Sequence, residues 1–209
     1  YAVGTSLAVV FFNALSGTIA YIRQKKVYYD AAIRFSLATL PGAVAGSYLA
    51  HYFTDRSFYI SFGILLVIIA FLLYSRSPAE PETADDQTAF TYNRFLGTSL
   101  SVLVGFLSST FGIGGGLIHV PVMIALLGFP THIATATSHF VLAVSALFGV
   151  ITHYLLGNIL LIPSLTIGGG AVLGAQFGAC LAPKTKSRSI TLLLCLALFA
   201  LGLRMICGA

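Results

Sequence analysis

Residues 95 to 129 read FLGTSLSVLVGFLSSTFGIGGGLIHVPVMIALLGF, and they open a run of 89 residues, Phe95 to Pro183, without one Asp, Glu, Lys or Arg. A helix of a water-soluble protein keeps a polar face, so a charge-free run of this length reads as several membrane crossings. The rest of the chain agrees. Of its 209 residues 57% are hydrophobic and 8% charged, with mean hydropathy +0.94, far outside the soluble globular range. The expected fold class is all-α, a polytopic transmembrane helical bundle.

Apolar segments of spanning length fall at 3 to 22, 31 to 52, 57 to 75, 93 to 110, 114 to 129, 133 to 156, 159 to 182 and 189 to 207. The fifth is short and holds Pro121, so a broken or re-entrant helix is an alternative there. The polar stretch SRSPAEPETADDQT separates the third span from the fourth, as a solvated linker would.

Shifting the sequence on itself by 132 positions gives fifteen identities in the 57 pairs that set residues 1–57 against 133–189. They include Thr5 with Thr137, Ser6 with Ser138, Gly17 with Gly149, Gly42 with Gly174 and Gly46 with Gly178. Shared apolar composition does not readily place Gly, Thr and Ser in one register, so the chain reads as an internal duplication. The expected units are a first repeat at 1–75, a linker at 76–92 and a second repeat at 93–209. Residues 93–132 have no partner at this offset, which predicts about 40 further residues ahead of Tyr1, carrying a first copy of the glycine-rich stretch.

If all eight segments cross, Arg23, Lys25, Lys26, Arg76, Arg94, Lys184, Lys186 and Arg188 share one side, against Arg56 and Arg204. Were 114 to 129 to dip in and return, the split would weaken from eight against two to six against four. The positive-inside rule therefore favours eight crossings of a cytoplasmic (inner) membrane, with the basic loops cytoplasmic. Five crossings per complete repeat would give the two copies opposite topology.

The six carboxylates, Asp30, Asp55, Glu80, Glu82, Asp85 and Asp86, all precede residue 87, and none lies deep in a span. Acid/base catalysis by paired carboxylates and a carboxylate-lined cation path lose their basis. HExxH, GxSxG and GxxxxGK[ST] are absent, and no nucleophile stands with a base, so the reading is not that of an enzyme. The basic residues occupy short flanks, which fits membrane orientation and not nucleic-acid binding. His119, His132, His139 and His153 lack metal-ligand spacing, and neither a metal nor another cofactor is expected. Cys180, Cys195 and Cys207 suit reduced, buried thiols.

Small donors remain at membrane depth: Thr5, Ser6, Asn13 and Ser16, Ser108, Ser109 and Thr110, then Thr137, Ser138 and Ser145. Donors without carboxylates suit an anion. Gly112, Gly114, Gly115 and Gly116 read as a helix break whose freed amides face that anion, and GxxxG helix packing is the plainer alternative. Helix packing is equally the plainer role for the Thr-Ser pairs. His119, which follows the glycines, and His139, directly after Ser138, are each either a titrating pathway group or a hydrogen-bonded structural histidine. The candidate substrate pathway is Thr5, Ser6, Asn13, Ser109, Gly112, Gly114, Gly115, Gly116, His119, Thr137, Ser138 and Ser145.

The run GFLSSTFGIGGGLIHVPVMIALLGFPTHIATATSHF, followed by SALFGVITHYLLGNI and GGGAVLGAQFGACLA, resembles the second half of the sulfite exporter TauE/SafE family of membrane permeases. Gly112, Gly114, Gly115, Gly116, Pro121, Ala134, Ala136, Thr137, Ser138, Gly174, Ala175 and Gly178 carry the likeness. Gly4, Thr5, Ser6, Gly17, Pro41, Gly42 and Gly46 resemble the latter part of its first half. The resemblance implies a permease, several members of the family being linked to sulfite, sulfonates or other sulfur-containing anions. The expected function is secondary transport of a small anion, with the lipid bilayer and that anion as partners and a homo-oligomer left open. The rival is a non-transporting membrane scaffold whose glycines serve only packing.

Overall fold

In hydrocarbon every backbone N–H and C=O must find its partner inside the protein, and apolar segments of this length meet that demand as helices. The structure, a computed structural model, describes residues 2–50, 55–75, 92–111, 116–155, 157 and 159–207. They form α1 (Ala2–Arg23), α2 (Tyr29–Ala50), α3 (Asp55–Ser75), α4 (Arg94–Phe111), α5 (Gly116–Leu127), α6 (Thr131–Leu155), α7 (Leu161–Leu181) and α8 (Ser187–Cys207). A single 3₁₀ turn, Ala182–Lys184, joins α7 to α8. The chain is a helical, multi-pass membrane bundle. Each helix lies within two residues, at either end, of a span read from the sequence. By length and composition α1, α6, α7 and α8 each suffice to cross a membrane.

Helices 132 positions apart share their limits: α2 begins at Tyr29 and α7 at Leu161, while α3 runs Asp55–Ser75 and α8 Ser187–Cys207. Their packing follows the same exchange. Helix α1 packs on α6 and α7, and α6 packs on α1 and α2. Gly17 of α1 faces His139 of α6, and Gly149 of α6 faces Leu7 of α1, the latter being the same contact displaced by 132 in both residues. The helix ends match too. Lys25 holds a left-handed φ of 55° after α1 and Gly157 a φ of 69° after α6. Lys25 N–H donates to the Ile22 carbonyl and Gly157 N–H to the Tyr154 carbonyl, at 2.9 and 3.0 Å. Both close a helix through a left-handed residue, a position glycine fills without strain.

Glycine sets how near other helices come. A Cβ on Gly42 of α2 would collide with the Val102 carbonyl of α4, and one on Gly105 of α4 with the Thr39 carbonyl of α2. Helices α3 and α8 cross at Gly63 and Gly202, where a Cβ on either would lie 2.7 or 2.9 Å from the other's carbonyl oxygen. Backbones in contact maximise dispersion where lipid offers no hydrophobic drive between helices. Gly174 and Gly178 of α7, aligned with Gly42 and Gly46, have open space beside them. Exposed Leu165, Leu173 and Phe177 of α7, with Leu193, Leu196 and Phe199 of α8, make those faces apolar, as lipid contact requires.

Helix α5 runs unbroken through Pro121, so the break expected at that proline is not there; Gly112, Gly114 and Gly115, where the sequence also reads a helix break, lie outside the described residues. Helices α4 and α5 are antiparallel, since Ser101 meets His119 while Tyr92, ahead of α4, meets Phe129, beyond α5. Gly128, at a φ of 69°, ends α5, and Phe129 N–H donates back to the Met123 carbonyl at 3.0 Å. The thiols correct one expectation. Cys195 is buried, but Cys180 and Cys207 are exposed on the outward faces of α7 and α8, and all three are free.

Candidate functional site

Thr5 and Thr137 hold the two halves of the bundle together by one repeated device. The Leu160 N–H, ahead of α7, donates to Thr5 Oγ1 at 3.1 Å. The Tyr28 N–H, ahead of α2, donates to Thr137 Oγ1 at 3.1 Å. Donor and acceptor are each displaced by 132, so each threonine receives the amide just ahead of a helix from the other half of the bundle. These threonines are therefore structural contacts first.

Their serine neighbours differ. Ser138 is 1% exposed and its Oγ has no hydrogen-bond partner among the described residues, whereas Ser6 is exposed. What covers Ser138 is the start of α5: a Cβ on Gly116 would lie 4.0 Å from Ser138 Oγ and 3.1 Å from Leu142 Cδ2. The first four amides of a helix have no carbonyl partner within it, and they carry the positive end of its dipole. A buried hydroxyl and the first turn of α5 thus meet across a gap that only glycine leaves.

His119 lies one turn further along α5 and is 2% exposed. Its Nε2 is 3.2 Å from Ser101 Oγ of α4, and the Ser101 hydroxyl already donates to the Gly97 carbonyl at 2.8 Å. Neutral His119 therefore carries its proton on Nε2 and donates to Ser101, leaving a lone pair on Nδ1. Nδ1 is buried and has no partner among the described residues, and Ser108 Oγ, near the end of α4, is in the same state. Buried polar atoms left unmated are uncommon in folded proteins and each calls for a reason.

The remaining pathway candidates are less concentrated. Ser145 donates to the Leu142 carbonyl of its own helix at 3.1 Å. Asn13 and Ser109 are half-buried, on α1 and near the end of α4. Gly112, Gly114 and Gly115 lie outside the described residues. The sequence reading missed Ser101, the partner that fixes the His119 tautomer, and Phe35, whose ring stacks edge-on against His119 at 5.5 Å. It also missed the α1–α7 polar seam, where Gln176 Nε2 donates to the Ser16 carbonyl at 2.8 Å and Gln24 Nε2 to the Ala179 carbonyl at 2.8 Å. Among the described residues no His, Cys, Asp and Glu group is arranged to hold a metal.

The sulfite exporter TauE/SafE family matches residues 1–205. This chain belongs to that family. Among its relatives is the Bacillus subtilis "Probable membrane transporter protein YunE", 32% identical over 98% of this chain and 80% of the relative. Another is "Probable membrane transporter protein MJ0441" of Methanocaldococcus jannaschii, 26% identical over 99% of this chain and 79% of the relative. A Xylella fastidiosa "Probable membrane transporter protein" is 32% identical over 72% of this chain and 56% of the relative. No solved structure matches the chain. A TauE/SafE chain with this bundle is a multi-pass member of a transporter family, which favours the transport reading over the scaffold.

Proposed function

We propose that this TauE/SafE protein is a secondary transporter of a small anion, of the sulfite or sulfonate class, in the cytoplasmic membrane. The observation that carries the reading is the unmated Ser138 hydroxyl facing the first turn of α5 at Gly116. Helix-start amides and a hydroxyl proton are donors that match an oxyanion, and no carboxylate among the described residues competes for them. Residues 1–75 and 93–209 would act as two repeats of opposite topology joined by 76–92, supported by the matched helix limits and the paired threonine contacts. Alternating access then arises from rocking one repeat against the other, with the basic loops in the cytoplasm.

The test is uptake of sulfite, thiosulfate, sulfoacetate and chloride into vesicles holding the full-length protein, with and without a pH gradient. A sulfur oxyanion should accumulate, and faster with the gradient. Failure of all four to move would overturn the reading.

A further inference from the structure

Four rings converge between the basic end of the bundle and the buried groups just described. Tyr92, ahead of α4, packs against Phe129 at 5.2 Å, Phe35 at 5.7 Å and Tyr28 at 6.0 Å, measured between ring centroids. Phe35 and Phe129 are fully enclosed, 0% and 2% exposed. On its inner side the cluster reaches the candidate pathway twice. Phe35 stacks on His119, and the Tyr28 N–H is the donor to Thr137, the neighbour of Ser138. The rings come from the α1–α2 connection, α2, the start of α4 and the α5–α6 connection, and so from both repeats.

A carboxylate fastens the outer side. Asp30, in the first turn of α2, accepts from the Tyr92 hydroxyl at 2.9 Å and lies 3.5 Å from Arg94 Nε of α4. Its other oxygen accepts from Arg34 Nε of its own helix at 2.9 Å. The hydrogen bond from Arg34 first, then that from Tyr92 and the charges of Arg34 and Arg94, hold the Asp30 carboxyl below its usual range against the opposing effect of burial. Burial, followed by the bond to Asp30, pushes the Tyr92 phenol up, so the pair meets as carboxylate and protonated phenol.

At the aligned positions of the second repeat, Asp30 and Arg34 have no charged counterpart. Displaced by 132, Tyr28, Asp30, Arg34 and Phe35 become Leu160, Ile162, Thr166 and Ile167. A carboxylate and its guanidinium have given way to an aliphatic side chain and a hydroxyl.

We propose that the Tyr28–Phe35–Tyr92–Phe129 cluster is a gate at the basic end of the pathway, latched by Asp30 through Tyr92 and Arg94. The proposal rests on the transport reading, since a gate needs a pathway behind it. Rocking one repeat against the other parts rings held by both, and the latch opposes that motion at the basic end.

The reporter is a Ser101→Cys side chain, normally 1% exposed, in full-length protein with Cys180, Cys195 and Cys207 replaced by Ala. Its rate of modification by a membrane-impermeant thiosulfonate is followed in vesicles of each orientation. Tyr92→Phe and Asp30→Asn should each raise the rate from the basic side about tenfold, as expected for loss of a charge-assisted hydrogen bond, and leave the rate from the other side unchanged. Arg34→Gln should change neither rate much, because Arg34 bonds Asp30 within one helix and bridges nothing. Unchanged basic-side rates in both latch variants, with the thermal transition intact, would overturn the gate, as would equal rises from both sides. Labelling needs no substrate, so a shift in these rates alongside absent anion uptake would support closure at this end and tell only against the transport reading.

Discussion

Thr137 and Ser138 are adjacent on α6 and have opposite duties. The Thr137 hydroxyl accepts the Tyr28 amide, so Thr137→Val removes that part-buried hydrogen bond between the halves and should lower stability by about 0.5–1.5 kcal/mol in a detergent unfolding titration. Ser138 Oγ bonds nothing in the described structure, so Ser138→Ala removes a buried polar group that gains nothing from the fold. Its stability should stay level or rise by up to about 1 kcal/mol. Hydroxyls as the donors left at depth, together with the register of 132, made both residues candidates. Their separate roles were not legible, since accepting an amide depends on where α2 begins in space. The alignment of Tyr28 with Leu160 and of Thr5 with Thr137 held that information, though an apolar pair of aligned positions shows nothing of backbone bonding.

Single helix ends and crossings differ between the two halves in ways that stability measurements can read. Lys25 holds the left-handed position that Gly157 holds 132 residues later, so Lys25→Gly relieves steric strain and should stabilise by about 1 kcal/mol. A thermal melt of the detergent-solubilised protein checks the direction. Gly42→Ala drives a methyl into the Val102 carbonyl and should cost about 1–3 kcal/mol or abolish folding. Gly174→Ala, its aligned partner, meets open space and should be neutral or mildly stabilising in the same melt. Helix limits were legible because spans in hydrocarbon must be apolar throughout, and polar turns bound them. The close approach of α2 and α4 was not, since Gly42 and Gly174 are identical in sequence and differ only in what packs beside them.

For the whole molecule, charge and its placement give a pH dependence. The folded-state Asp30 carboxyl titrates below its ordinary 3.8, so its contribution to holding α2 against α4 is complete above that value. It is lost as pH falls through the lower folded value. The excess of the Asp30→Asn labelling rate over that of the parent reporter, compared at equal pH so that the thiolate fraction cancels, should therefore hold from neutral to mildly acidic pH and shrink only below 3.8. Loss of that excess near neutrality would assign the response to another group. The charge-free run from Phe95 to Pro183 made the membrane class plain, and the register of 132 made the duplication visible. The latch emerges only when the two are joined, because Asp30 opens α2 while Tyr92 and Phe129 lie in separate connections, and the fold brings the three to one end.

The central claim is that an anion passes between the Ser138 hydroxyl and the first turn of α5. Initial rates of radiolabelled sulfite uptake into vesicles holding equal amounts of the full-length protein and its Ser138→Ala variant test it most directly. Loss of one donor to a bound anion predicts a fall of about tenfold or more in the variant, with its melting temperature unchanged or raised. Uptake by Ser138→Ala at the unaltered rate would contradict the claim.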